Sequence, residues 1–389
     1  MTGKERVGRI LRRQPADRIG LFEVFWAETA RRWSAEGHFA RPELAEDHFG
    51  LELRRCRPLD LTARLSVGEP VEDETDTTWL GVAGGPAHAG RKEEVIEETE
   101  TTRLVRDGNG AVLRWIKGFS GAPEHVDFLV KDRCAWETHI RPYLVNEANR
   151  RQRVNFDLYQ AMRDHCAKNN LFLTCGIVGP FDLMTPLCGH EHLLVGMALD
   201  PEWAADMVQV YTGLTLELLE ILFAQEGPPD GLWVWEDLAF KQRPFVSPAM
   251  YRELLFPAHR RIFQWAHARE LPVILHSDGY VEPLLPDLVE AGIDCLQPLE
   301  VKAGMDLLRV KQRFGGRIAF IGGMDARALE TNNPAAVRAE LEAKLPGAMA
   351  GGGYVLQADH SVSNRVDYPT YKFFVETGLR LGSYGAYQA

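Results

Sequence analysis

LPVILHSDGYVEPLLPDLVEAGIDCLQPLEV, residues 271–301, carries a strand, a helix and a second strand in its order of residue types. Val273, Ile274 and Leu275 form a short apolar run, VEPLLPDLVEAG reads as a helical stretch, and IDCLQPLEV begins apolar again. Two strands joined through a helix run parallel, because such a connection returns the chain to the same end of the sheet. The alternation continues through RIAFIGGMD (317–325) and NPAAVRAELEAKL, then GYVLQADHS (353–361) and YPTYKFFVETGL. It starts earlier, with LFLTCGIVG (171–179) and GLWVWEDLAF (231–240). Repeated βα units place strands between two layers, and an array of this length most often closes into a barrel. The fold class expected is therefore α/β, a TIM (β/α)8-type barrel with an N-terminal α+β elaboration; a doubly wound open sheet is the alternative.

The pattern divides near residue 150, with the elaboration in 1–150 and the main βα units in 151–389. Thr2 and Glu5 have capping-box spacing, and Val7, Ile10 and Leu11 share a helical face, so residues 3–13 are expected to be an amphipathic helix that Pro15 ends. The sequence VIEETETTRLVRDGNGAVLRWIKG places two β-rich runs around Asp107-Gly108-Asn109-Gly110, a hairpin signal. The Glu-rich run from Glu93 to Glu100 reads as a solvated face. Ser247 and Pro248 suit a helix start, and Pro257 should kink or divide that helix.

At 389 residues, 45% hydrophobic and 25% charged, the chain has the composition of an ordinary globular protein. It has no uninterrupted apolar run of about 18 residues, and its basic N-terminus lacks the apolar core of a signal peptide, so a cytoplasmic protein without a membrane partner is expected. A formal charge of -11 without a basic stripe argues against nucleic acid. Six scattered cysteines with no CxxC pair suit free thiols, mostly in the core.

Chemistry concentrates at the strand ends, where a parallel barrel builds its active site. Trp235-Glu236-Asp237, His276 with Asp278, Glu300, Asp325 and Asp359-His360 end successive strands. Residues two apart on a strand share a face, so His276 and Asp278 can reach one target. Two imidazoles and carboxylates from neighbouring strands can form a divalent-metal site, with zinc accepted and Fe2+, Mn2+ or Ni2+ open in the absence of a thiolate. Individually hydrogen-bonded rim residues or helix caps are the alternative. Gly351-Gly352-Gly353 reads as a turn rather than a phosphate cradle. Gly84-Gly85-Pro86 lacks P-loop partners, no GxSxG is present, and His190 and His192 lack HExxH spacing, suiting a loop or helix start.

TGKERVGRILRRQPADRIGL, WEDLAFKQRPFVSPAMYRELLFPAHRRI, and the run from HSDGYVEPLLPDLVEAGIDCLQPLEVKAGMDL through IGGMDARAL to ADHSVS resemble the uroporphyrinogen decarboxylase and corrinoid methyltransferase superfamily. The resemblance implies a distorted TIM barrel, and homodimers are common in that superfamily. True decarboxylases share an arginine-bearing RQAGR loop that grips the tetrapyrrole; here LFEVFWAETARRW stands in its place, with Phe25, Trp26 and Glu28. Such an acidic and aromatic lining disfavours a polycarboxylate. The methyltransferase branch carries zinc on a His-x-Cys pair and a later Cys, with a Glu between them in a related barrel. By position this implies His276, Asp278, Glu300 and His360 as metal ligands, with both thiolates replaced by harder donors.

That change favours polarising an ether oxygen over activating a thiol. The implied activity is a methyltransferase or O-demethylase component, moving a methyl group from a small methoxylated or methylated donor to the cobalt of a corrinoid (cobalamin) carried by a partner protein. The candidate catalytic carboxylates are Glu236, Asp237, Asp325 and Asp359, with Asp237 or Asp359 supplying a proton. Trp26, Glu28, Trp235 and Phe240 are the candidate substrate-binding residues, Trp233 being a further stacking surface. The alternative is a metal-free decarboxylase in which Asp325 and His360 handle protons; a non-enzymatic tetrapyrrole or corrinoid binder ranks last.

Overall fold

The computed structural model describes residues 1–63, 69–70, 92–117 and 123–387. Eight strands form one parallel sheet: β1 (Gly20–Leu21), β2 (Leu53–Cys56), β3 (Phe172–Val178), β4 (Gly231–Trp235), β5 (Val273–His276), β6 (Cys295–Gln297), β7 (Ala319–Ile321) and β8 (Tyr354–Leu356). From β2 to β8 each strand pairs with the next, and β8 pairs with β1, Gly20 opposite Val355. The seam between β1 and β2 is held by hydrogen bonds around Glu52. Its backbone N–H donates to Leu21 O at 3.0 Å, and its Oε2 accepts from Leu21 N at 3.0 Å. Arg6 and Arg18 both donate to the same carboxylate. The sheet is therefore a nearly closed barrel rather than a doubly wound open sheet.

The division expected at residue 150 falls elsewhere. β1 and β2 belong to the barrel, and the antiparallel sheet of Glu69–Pro70, Lys92–Glu98, Thr102–Arg106, Val112–Ile116 and Glu124–Asp127 is inserted between β2 and β3. Two features hid these strands: β1 is two residues long, and β2 is half arginine. The expected hairpin is present, with Arg106 opposite Val112 and Asp107 Oδ1 accepting from Asn109 N and Ala111 N, both at 2.9 Å. The Glu-rich strand beside it is exposed from Glu94 onward.

One end of the barrel is a closed floor. Helix α1 (Gly3–Leu11) carries the capping box, Glu5 N to Thr2 Oγ1 at 3.2 Å and Thr2 N to Glu5 Oε2 at 2.8 Å. It stops before residue 13, where Arg13 turns left-handed at φ 54°. Val7, Ile10 and Leu11 of α1 pack in one cluster with Phe22, Leu53, Phe172, Trp233, Ile274, Cys295, Ala319, Ile321 and Val355. Burial of each large member contributes on the order of 1.5–3 kcal/mol.

A second cluster lies between the strands and the surrounding helices, which include α2 (Ala27–Ala35), α3 (Phe156–Asn169), α4 (Pro180–Leu199), α5 (Pro201–Glu226), α6 (Phe256–His267), α7 (Leu285–Ala291), α8 (Leu307–Phe314), α9 (Pro334–Met349) and α10 (Tyr368–Leu381). Helix α5 is long and apolar enough to cross a bilayer, yet 61% of its most apolar window is buried against the rest of the chain, the condition of a core helix. Pro257 divides its helix as expected: it lacks an N–H, and the turn before α6, Tyr251–Leu255, widens to π geometry. Gly351, Gly352 and Gly353 all have φ above +70°, forming the turn between α9 and β8. The six cysteines are free, five of them buried.

Candidate metal centre

The inward face of β2, β4, β5, β6 and β8 changes character two residues beyond the floor. Leu53 is succeeded by Arg55, Trp233 by Trp235, Ile274 by His276, Cys295 by Gln297 and Val355 by Gln357. Side chains two apart project to one side, so these residues form a polar layer directly over the apolar one, at the C-terminal mouth. His276 is in register with Trp235 on one side and Gln297 on the other.

His276 is held in a defined tautomer. Its Nδ1 lies 2.5 Å from Gln297 Oε1, and Gln297 Nε2 donates to Gln357 Oε1 at 3.0 Å. An amide oxygen only accepts, so the imidazole proton sits on Nδ1 and the Nε2 lone pair is free. That lone pair faces two carboxylates, Asp237 Oδ1 at 3.6 Å and Asp278 Oδ2 at 3.9 Å. One ligand atom from each of Asp237, His276 and Asp278 lies within 4.8 Å of the other two. Gln357 in turn hydrogen-bonds Glu23, a fully buried carboxyl that burial pushes up to about 8. A chain of polar side chains thus crosses the barrel from Glu23 to His276.

The acids around His276 are crowded. Asp278 N donates to Asp237 Oδ1 at 2.8 Å, and Asp237 N donates to Asp182 Oδ2 at 2.9 Å. Burial raises the Asp278 carboxyl; His276 and His360 oppose this, while Asp237 and Glu300 add to it. Asp182 is raised further, by burial and then by Asp237 and Glu236. Asp278 Oδ1 is enclosed with no hydrogen-bond partner among the described residues. Concentrated negative charge, an orphaned carboxylate oxygen and an aimed imidazole nitrogen suit a divalent cation. Three protein donors of this type leave a position open for another ligand.

The expected ligand set is thus rearranged. His276 and Asp278 come together, and Asp237, expected as an acid, completes the group. Glu300 instead turns its Oε2 to Gly279 N at 2.7 Å, fixing the turn after β5, and pairs with Lys302. His360 is half-buried and acts on Asp278 through its charge, outside the compact group.

Glu236, expected to be catalytic, caps α4. It is fully buried and accepts from Phe181 N and Asp182 N, both at 3.1 Å, and it lies 2.7 Å from His259 Nε2. A carboxylate at a helix N-terminus is electrostatically favourable there, so this one is structurally committed. Both oxygens of Asp359 accept backbone N–H groups, Val301 at 2.7 Å and Ala326 at 2.8 Å. Asp325 caps the short helix Ala326–Glu330 and pairs with Arg327; that partner holds its carboxyl below the usual range despite burial, which leaves no proton to donate at neutral pH.

Of the expected substrate residues, Trp235 is half-buried at the mouth. Phe240 is 57% exposed on the short hairpin Ala239–Phe240 with Arg243–Pro244, stacked at 6.1 Å on Phe245, which stacks on His190 at 4.5 Å. His190 opens the second half of α4, after the break at Gly189, in the helix-start role its spacing suggested. Trp26 and Glu28 are half-buried where the chain enters α2 and lie outside the group at His276. Trp233 belongs to the floor.

Sequence reading missed the arginines. Arg55 lies 5.0 Å from the Phe22 ring, 4.9 Å from Trp233 and 5.5 Å from Trp235, and Arg57 lies 5.1 Å over Trp235. Burial lowers both guanidiniums, Arg55 to about 10. The lining expected to be acidic and aromatic therefore has a cationic side, supplied by β2 rather than by the segment after β1. The detectable signal was the arginine spacing in LRRCRP, two apart and so on one face.

Residues 142–380 match the family described as Uroporphyrinogen decarboxylase (URO-D). A uroporphyrinogen decarboxylase of Azotobacter vinelandii is 32% identical over 130 residues, 31% of this chain and 34% of that protein. A methylated-thiol–coenzyme M methyltransferase of Methanosarcina mazei is 27% identical over 161 residues, 40% of each chain. The aligned stretches thus cover well under two thirds of these relatives' lengths. A solved structure of a methyltransferase from Methanosarcina mazei shares the fold across 100% of both chains, with a TM-score of 0.65 at 17% identity. The matched segment holds β3 to β8, His276 and both carboxylates beside it, and by that match the chain belongs to the uroporphyrinogen decarboxylase family.

Proposed function

We propose that this protein is a metal-dependent methyltransferase or O-demethylase component, moving a methyl group from a small methoxylated or methylated compound to the cobalt of a corrinoid carried by a partner protein. The observation that carries the reading is the group of Asp237, His276 and Asp278, with His276 Nε2 aimed at both carboxylates by the Nδ1 hydrogen bond to Gln297. The methyltransferase name of the Methanosarcina mazei relative adds support.

Asp237, His276 and Asp278 would hold a divalent ion, zinc being the first candidate. Such an ion supplies Lewis-acid polarisation of the donor atom from which the methyl group departs. The corrinoid of the partner protein would supply the nucleophilic acceptor of the methyl group. The remaining work belongs to the chain. Gln297 and Gln357 keep the imidazole from rotating or changing tautomer. Asp182 accepts from Asp237 N through Oδ2 and so fixes the backbone that presents Asp237 to the site, while burial and the neighbouring acids raise its own carboxyl well above the usual range.

Metal analysis of the purified protein beside His276→Ala tests the reading. About one divalent ion per chain is expected in the wild type and a large loss in the variant. Metal-free wild-type protein with full activity on a carboxylated substrate would overturn it. That second outcome corresponds to a decarboxylase, a reading favoured by the two arginines at the mouth.

A further inference from the structure

We infer that Arg57, stacked on Trp235 and backed by Arg55, seats a carboxylate of the substrate, so that the ligand is a small carboxylic acid oriented with its anionic end at β2 and its other end at His276. The orientation rests on the proposed function; the carboxylate seat does not.

Arg57 follows Arg55 by two positions and faces the same interior, just beyond the end of β2. Its guanidinium lies 5.1 Å over Trp235, and Asp182 is the acid that acts on it electrostatically. Among the described residues, none forms an ion pair or hydrogen bond with the Arg57 guanidinium. A half-buried guanidinium stacked on an indole without a bonded counter-charge is open to an anion, and a carboxylate arriving with the ligand satisfies its planar fork of donors.

The seat is rigid. A Cβ at Gly176 would meet Trp235 Cζ3 at 2.4 Å and Arg57 Cγ at 3.1 Å, so the bare backbone of β3 is what lets the two side chains fit. Arg55 is 3% exposed among three aromatic rings and strengthens the positive field from behind. Trp235 is the register partner of His276 on the adjacent strand, so the indole beneath the Arg57 guanidinium and the imidazole start from paired positions of β4 and β5.

Charge then sets direction. Asp237 and Asp278 crowd the His276 side and repel an anion, whereas the β2 side attracts it. A ligand with one carboxylate and one neutral end fits this gradient in a single sense. Among the described residues Arg57 is the guanidinium left to the ligand, with Arg55 sealed behind it, and one guanidinium suits a monoanion.

The probes are 4-methoxybenzoate and its neutral counterpart 4-methoxybenzamide, titrated calorimetrically into the full chain as purified and again after chelation. Wild-type protein should bind the benzoate roughly 10- to 100-fold more tightly than the amide, the range for a hydrogen bond to a charged group. Arg57→Gln should abolish that preference while leaving amide affinity unchanged, and Arg57→Lys should restore part of it. Equal binding of the two probes by wild type, or a benzoate preference that survives in Arg57→Gln, would overturn the inference. Because the comparison is made first within wild type, it stands even if a variant folds poorly. A preference that persists in protein containing no metal supports the seat and removes the metal reading alone. Loss of preference in metal-loaded wild type removes the seat alone.

Discussion

The floor and the mouth of the barrel are built by the same strands, two residues apart, and they do opposite work. Trp233, Ile274, Cys295 and Val355 are sealed beneath α1, while Trp235, His276, Gln297 and Gln357 are polar or part-exposed one layer higher. Stability and chemistry are thereby stacked on one scaffold, and each can be perturbed with little reach into the other.

The largest expected effect is on the floor. Trp233→Ala should lose about 3–5 kcal/mol of stability, read from the denaturant midpoint, while the folded fraction keeps its metal content. Metal lost in step with stability would mean that the layers are not separable. In the mouth, His276→Ala should weaken metal binding by more than ~100-fold in a competition titration, with the denaturation midpoint of chelated protein nearly unmoved. Gln297→Leu keeps every proposed ligand but removes the amide that orients the imidazole and bonds Gln357, and about 10- to 100-fold in metal affinity should go with it. Undiminished affinity there would show that His276 needs no orienting partner.

Glu23 offers a gentler test at the far end of the same polar chain. Burial pushes its folded value up to about 8 from an ordinary 4.5. Below pH 4.5 it is protonated folded or unfolded; as pH rises towards 8 only the unfolded chain ionises, so the stability it contributes at low pH is progressively lost. Urea midpoints from pH 4 to 9 should fall more steeply in wild type than in Glu23→Gln; parallel curves would place the ionised carboxylate in the native state. Smallest, at the entrance to the floor, Thr2→Ala should cost about 1 kcal/mol by removing the α1 cap. A thermal melt measures it, and no change would show that the tertiary contacts of α1 suffice.

The parallel strands from β3 to β8 were legible because buried strands announce themselves as apolar runs followed by helical periods. β1 and β2 were not, since inward arginines in a short strand resemble an exposed edge. At the site, His276 and Asp278 stood out as polar residues ending an apolar run. Choosing between Glu236 and Asp237 needed the parity of the strand: Trp233, Trp235 and Asp237 share one face, while Glu236 serves the N-terminus of α4. Parity has limits, since Asp359 lies in phase with Val355 and Gln357 but is spent on two backbone N–H groups. The glutamines and Asp182 act through partners distant in the chain, which spacing cannot reveal.

The seam at Glu52 bears on how the chain reaches this state. The contacts that bring β1 to β8 join residues as far apart as Glu23 and Ala358, 335 positions away. Such separation makes the joining of first strand to last a slow, late event in folding. Until Tyr354–Leu356 is in place, β1 lacks the strand it pairs with in the sheet, and Phe22 and the apolar side of α1 remain without part of their cover. A nascent or truncated chain lacking β8 therefore presents a sticky, half-built cup, the species on which aggregation and chaperones compete.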